Sequence, residues 1–312
     1  MLSCLGYNTA ILHICHISHY LFISLSLIFV FCIADGSVDL SAFSLIHAMP
    51  WNGVPRYAVA SLGDEIFVAS HINKSIEVYD ATTFAFKHSL TVPGLTVNCY
   101  GLAACKSNNC LYASDYLRNT IHKADLSGRN GVVKWSVGSQ PAGLSVNKAH
   151  NVVVACLAVN KVQEYTTDGG LVRKISLKQT GCTNPWHAVQ LSTGDYVVSY
   201  GTSPGVVSVV GVDGQVVHRS DQSQTSRIGS MNAPRSIAVT KNDDILVADN
   251  RNHRILLMNS SLSSVQVLAL PVDGGIQNPW GLCLDKSRGR LYVAECDGQC
   301  RVLVFESVAI NR

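Results

Sequence analysis

Residues able to do chemistry are plentiful in this 312-residue chain but scattered: eleven His, eleven Cys and twenty-one Asp and Glu. No His-Glu-x-x-His pair, nucleophile elbow or phosphate-cradling glycine loop occurs, so metalloprotease, covalent-hydrolase and phosphoryl-transfer chemistry have no visible carrier. Cysteine is the type with organised spacing. Cys105-Lys-Ser-Asn-Asn-Cys110 and Cys296-Asp-Gly-Gln-Cys300 each straddle a turn between two apolar runs, where opposed strand positions come within disulfide reach. Both are read as hairpin disulfides, and Cys156 with Cys182 as a third pair. Cys99 and Cys283 are read as buried free thiols.

The segments that must position these residues begin with a leader. Residues 1–34 contain no Lys, Arg, Asp or Glu, and 21–34 (LFISLSLIFVFCIA) are almost wholly apolar. The run is shorter than the ~20 residues of a membrane-spanning helix, and Ala34 precedes Asp35 as at a secretory cleavage site. A single-pass signal anchor extended back to residue 11 is the alternative. Either reading puts the remaining chain outside the cytosol, secreted or at the cell surface, which suits eight Cys beyond the leader. The sequons Asn73-Lys74-Ser75 and Asn259-Ser260-Ser261 are then candidate glycosylation sites. A net charge of +3 with scattered Lys and Arg supplies no long-range field for nucleic acid, leaving open only a basic patch assembled by folding. Membrane contact is expected only through an uncleaved leader.

Beyond the leader, one unit recurs six times: a turn, a short run, a turn, an apolar run ending in a small and a polar residue, then a polar hairpin into another apolar run. Its starts lie near residues 55, 99, 141, 185, 234 and 279. A fourth, weaker run closes most units, as in 132–137, 172–177 and 265–270. Four short strands per unit at this period, without sustained helical periodicity, predict an all-β fold: a six-bladed β-propeller of four-stranded antiparallel blades over residues 38–308. The last unit has three strands, and an orphan apolar run at 38–47 precedes the first. That N-terminal run is expected to supply the missing strand and close the ring, removing exposed sheet edges. A closed ring of this kind is expected to be monomeric.

The fifth unit carries a recognisable signature. Asp249-Asn250-Arg251-Asn252-His253-Arg254-Ile255, preceded by Pro234-Arg235-Ser236-Ile237-Ala238 and Asp244-Ile245-Leu246-Val247-Ala248, resembles the NHL repeat; Asn119-Thr120-Ile121 and Asn160-Lys161-Val162 are partial echoes. The resemblance implies a six-bladed propeller, in agreement with the count of units. Within the hairpin the residues read as scaffold, since Asp and Asn bond nearby backbone and Arg254 can pair with Asp249.

The family resemblance brings three functional classes. Peptidyl-hydroxyglycine lyase-like propellers hold zinc on converging His, and gluconolactonase-like and strictosidine-synthase-like ones use channel carboxylates and calcium. Catalytic zinc needs three protein ligands, yet only His187 falls at an inner-strand start, and those starts contain no carboxylate. Tripartite-motif relatives act in ubiquitin ligation and RNA repression, but the upstream Cys/His clusters of a ligase are missing. What remains at the channel mouth is Arg56, Tyr57, Tyr100, Trp186, His187, Arg235 and Trp280, the composition of an interaction hot spot. The expectation is a binding module without cofactor or metal, taking a protein, peptide or glycan ligand.

Overall fold

The computed structural model describes residues 40, 42–50, 54–70, 74–96, 98–128, 131–220 and 228–307. The leader at 1–34 and Asn73 lie outside the described residues. Six four-stranded antiparallel sheets form a β-propeller, as the repeat predicts. Their innermost strands, Arg56–Leu62, Leu102–Cys105, Pro141–Val146, Pro185–Gln190, Pro234–Val239 and Pro279–Asp285, define blades 1 to 6. The sixth blade takes its outermost strand from the N-terminal side: Phe43–Met49 pairs antiparallel with Val302–Ser307, from Phe43 opposite Ser307 to Met49 opposite Val302. The expected ring closure is therefore present, with the strand placed later than the orphan run suggested.

The second strand of each blade reads as a nearly continuous apolar run because both of its faces are covered. In Glu65–Ser70, Phe67 and Ala69 pack towards blade 2, whereas Ile66 and Val68 pack towards blade 6. The same alternation fills every blade-to-blade interface with an apolar cluster. Full burial of a side chain such as Phe67 contributes ~1.5–3 kcal/mol.

Polar latches fix the connections over these clusters. At the end of the second strand in blades 2, 5 and 6 stand Asp115, Asp249 and Glu295, all fully buried. Each carboxylate accepts a backbone N–H from the segment entering its own blade: Thr96 at 2.9 Å, Asn232 at 2.7 Å and Gln277 at 2.7 Å. Asp249 also accepts from Asn252 Nδ2 at 2.9 Å and Arg254 Nε at 2.7 Å. The NHL hairpin is thus a latch. His253, with a left-handed φ of 54°, accepts the Asn278 N–H on Nδ1 at 3.0 Å, tying blade 5 to the entry of blade 6.

The three expected disulfides are absent; all eight cysteines of the propeller are free. Cys105 and Cys110 do oppose one another in the register of blade 2, but Asn108 Nδ2 donates to Cys105 Sγ at 3.4 Å. Cys300 Sγ donates to the Cys296 carbonyl at 3.1 Å rather than facing its sulfur. Cys156 and Cys182 lie on opposite sides of blade 3, in the clusters shared with blades 2 and 4 respectively, so the sheet separates them. Burial pushes the Cys99 and Cys156 thiols up to about 12 and Cys283 up to about 11.

Candidate functional site

The channel mouth is built by a repeated irregularity. In five blades the register slips just after the inner strand begins, between Arg56 and Ala58, Pro141 and Leu144, Pro185 and His187, Pro234 and Ile237, and Pro279 and Gly281. A bulge leaves an unpaired residue and re-aims its side chain. Tyr57, Trp186, Arg235 and Trp280 occupy those bulges, and Tyr100 precedes the inner strand of blade 2.

Their rings close over the channel. Tyr57 lies 4.6 Å from Trp280 and 5.3 Å from Tyr100, while Trp186 lies 5.2 Å from Trp280 and 5.5 Å from Tyr100, all edge-to-face. Tyr116, from the turn after the second strand of blade 2, adds a further edge contact to Tyr100 at 5.1 Å. The Arg235 guanidinium sits between the indoles, 3.9 Å from the Trp186 centroid and 4.4 Å from that of Trp280. Cation–π contacts of this kind contribute roughly 0.5–2 kcal/mol each. Gly201 permits the approach, because a Cβ there would stand 2.7 Å from Arg235 NH1.

Arg235 is half-buried, and burial brings its pKa down to about 10. Among the described residues no carboxylate lies within ion-pair distance, and its Nε is buried without an acceptor. The neighbouring Trp280 Nε1 also lacks an acceptor. Burial likewise raises Tyr57 to about 12 and moves Tyr100 upward, so both phenols are protonated donors at neutral pH.

His187 sits beneath this plug with both ring nitrogens engaged. Nε2 lies 2.9 Å from the Leu144 carbonyl of blade 3, and Nδ1 accepts the Ile237 N–H of blade 5 at 2.9 Å. This pattern assigns a neutral imidazole with its proton on Nε2. Burial lowers its pKa to about 4. His187 is therefore a spoke across the channel, and Gly143 makes room for it: a Cβ there would stand 2.4 Å from the ring. A cavity of about 40 Å³ separates the spoke from the aromatic plug.

Arg56 does not join the mouth. It pairs with Ser70 in the register, the slot that Pro234 and Pro279 fill in blades 5 and 6, one residue before the bulge. Its guanidinium is 1% exposed and donates to Glu77 Oε2 at 3.3 Å, Tyr79 OH at 3.0 Å and the Met49 carbonyl at 3.5 Å. It thereby fastens the closing strand to blade 1. Asn259 lies half-buried in a blade 5 turn, its Nδ2 donating to Ser263 Oγ at 2.8 Å.

The sequence reading missed Tyr116 and two exposed apolar residues on the mouth-side turns, Leu117 (57% exposed) and Val159 (39%). Their position directly after a second strand is the signal that could have found them. Among the described residues no group of three His, Cys, Asp or Glu converges to hold a metal ion.

Comparison with known proteins agrees with the architecture. Residues 231–256 match the NHL repeat family. The chain is a six-bladed β-propeller with an NHL repeat matched in its fifth blade. No curated protein sequence matches it. Among solved structures it is similar to a streptogramin B lyase, with a TM-score of 0.63 at 14% identity over 85% of this chain and 97% of that one. It is similar to virginiamycin B lyase from Staphylococcus aureus (0.59, 11%, covering 85% and 89%). It also resembles the WD40 β-propeller domain of Doa1 (0.58, 12%, covering 85% and 97%). At these identities the likeness carries the fold alone.

Proposed function

We propose that this chain is a non-enzymatic propeller, secreted or held at the cell surface, that binds a protein or peptide partner through its channel mouth, with Arg235 receiving an acidic group of that partner. The observation that carries this reading is the Arg235 guanidinium, half-buried between two indoles, with no carboxylate within ion-pair distance among the described residues and its buried Nε without an acceptor. Burying a cation without a counter-charge is costly, and an incoming carboxylate accepting two N–H groups relieves that cost. Aromatic rings around an Arg, with Leu117 and Val159 exposed on the same face, match the composition of interaction hot spots. His187 has no free nitrogen for a metal or substrate, which argues against a lyase built on it. The apolar leader supports an extracellular location, and buried thiols held well above neutral pH are poorly reactive in an oxidising compartment.

Titration of hexaglutamate and hexaglutamine peptides, followed by tryptophan fluorescence, tests the reading. Trp186 and Trp280 should report saturable binding of the acidic peptide only, and Arg235→Gln should weaken it by about 10- to 100-fold. Equal response to both peptides, or stoichiometric metal in the purified protein, would overturn the proposal. N-terminal sequencing of material from the culture medium tests the location.

A further inference from the structure

The channel has a second end, away from the aromatic plug, and its chemistry is different. There the inner strands open a cavity of about 240 Å³ walled by small and branched aliphatic side chains, including Ala60, Ala103, Val146, Val189, Val239 and Leu284. His187 forms its floor. Ser61 and Ser145 are the other polar residues of its lining.

Each inner strand leaves this cavity through a turn, and one position of that turn is a lysine in four of the six blades. Two residues after Ala104, Val146, Val239 and Leu284 come Lys106, Lys148, Lys241 and Lys286. The linear sequence hides these lysines, because successive members are 42, 93 and 45 residues apart, about one blade or two. The equivalent residues in blades 1 and 4 are Asp64 and Ser192. Asp64 is held by Arg288, and Ser192 donates its N–H to Asp243 Oδ1 at 3.0 Å.

Lys106, Lys148, Lys241 and Lys286 are exposed at the turns around this end of the channel. Burial lowers the Lys286 ammonium, Asp243 opposes that effect, and the charges of Lys148 and Lys241 lower it further. Lys148 and Lys286 stand on blades 3 and 6, opposite one another in the ring, each two residues beyond a residue that lines the cavity, Val146 and Leu284. Of the other carboxylates at these turns, Asp64 is paired with Arg288, and Asp285 is buried and accepts from the Ser287 hydroxyl at 2.6 Å. Like charges brought together above an aliphatic cavity are stabilised by an anion whose remainder is apolar.

We infer that this end of the channel binds an aliphatic carboxylate, its hydrocarbon lying against Ala103, Val146, Val239 and Leu284 and its carboxylate met by Lys148 and Lys286. The site is distinct from the mouth, since the His187 spoke lies between them.

Calorimetric titration of the full chain with decanoate, below the concentration at which it self-associates, tests the inference against decanol and decyltrimethylammonium. Decanoate should bind saturably at one site, decanol at least about tenfold more weakly, and the cation not at all. Lys148→Gln with Lys286→Gln, both at exposed turns, should weaken decanoate about tenfold while leaving the melting temperature in place. Arg235→Gln should leave it unchanged, so failure here is separable from failure at the mouth. Absence of saturable decanoate binding overturns the inference. So does equal binding of all three probes, wild-type affinity in the double variant, or association only with anionic vesicles.

Discussion

Replacing His187 with Gln should convert a pH-dependent brace into a pH-independent one, and the size of the effect follows from the spoke geometry. The imidazole is neutral in the folded protein, donating to Leu144 and accepting from Ile237, and its pKa falls from 6.5 to about 4 through burial. The unfolded chain therefore takes up a proton near pH 6.5 that the folded chain refuses until about pH 4. Stability from this group is fully present above 6.5 and is lost as the pH falls towards 4. At ~1.4 kcal/mol per pH unit the loss is about 3 kcal/mol. At pH 7 Gln should be less stable by roughly 1–3 kcal/mol, because it leaves a buried carbonyl or N–H imperfectly satisfied. Urea unfolding of both proteins at pH 7, 5.5 and 4 isolates the effect, since other titrating groups cancel in the difference. The gap should close or reverse by pH 4. A gap that stays constant, or a folded-state imidazole titrating near 6.5 by NMR, would refute the spoke.

Three further outcomes follow from the same contacts. Asp249→Ala should cost ~3–5 kcal/mol in urea unfolding, because it strands Arg254 and the Asn232 N–H that the buried carboxylate satisfies. Gly143→Ala should cost about 1–3 kcal/mol, since its Cβ would fall 2.4 Å from His187 and 2.8 Å from the Trp186 carbonyl; Gly131→Ala, which meets nothing within 4 Å, serves as the control. Cys99 and Cys156 should resist a thiol reagent at pH 8 in the native protein and react once it is unfolded, whereas rapid native labelling of these two would contradict their burial; Cys283, half-buried at the cavity wall, should label sooner.

The architecture was legible because it is periodic. Second strands buried on both faces must be apolar throughout, and six such runs at near-constant spacing admit a ring of blades. The closing strand was legible for a related reason: three strands in the last unit and an orphan run before the first have to meet. Bulges were not legible, and they decide the mouth. Aligning Pro55 with Pro234 equates Arg56 with Arg235, but the register equates Arg56 with Pro234 itself, and that single step sends Arg56 into a blade interface and Tyr57 into the mouth. His187 was expected among the ligand-binding residues of the mouth; it lies beneath them, and its role as a spoke depends on Leu144 and Ile237, 43 and 50 residues away in sequence. The cysteine reading failed where spacing was taken for direction. Cys156 and Cys182 are near in sequence, but strand alternation puts one on each side of blade 3.

The central claim is that the mouth is a receptor for an acidic group, centred on Arg235. Its most direct measurement is calorimetric titration of hexaglutamate into the wild-type chain and the Arg235→Gln variant at two salt concentrations. Binding should be saturable, weaken with salt and fall about 10- to 100-fold in the variant, with both proteins melting within a few degrees of each other. Equal affinity for the two proteins, or no binding by the wild type, would contradict it.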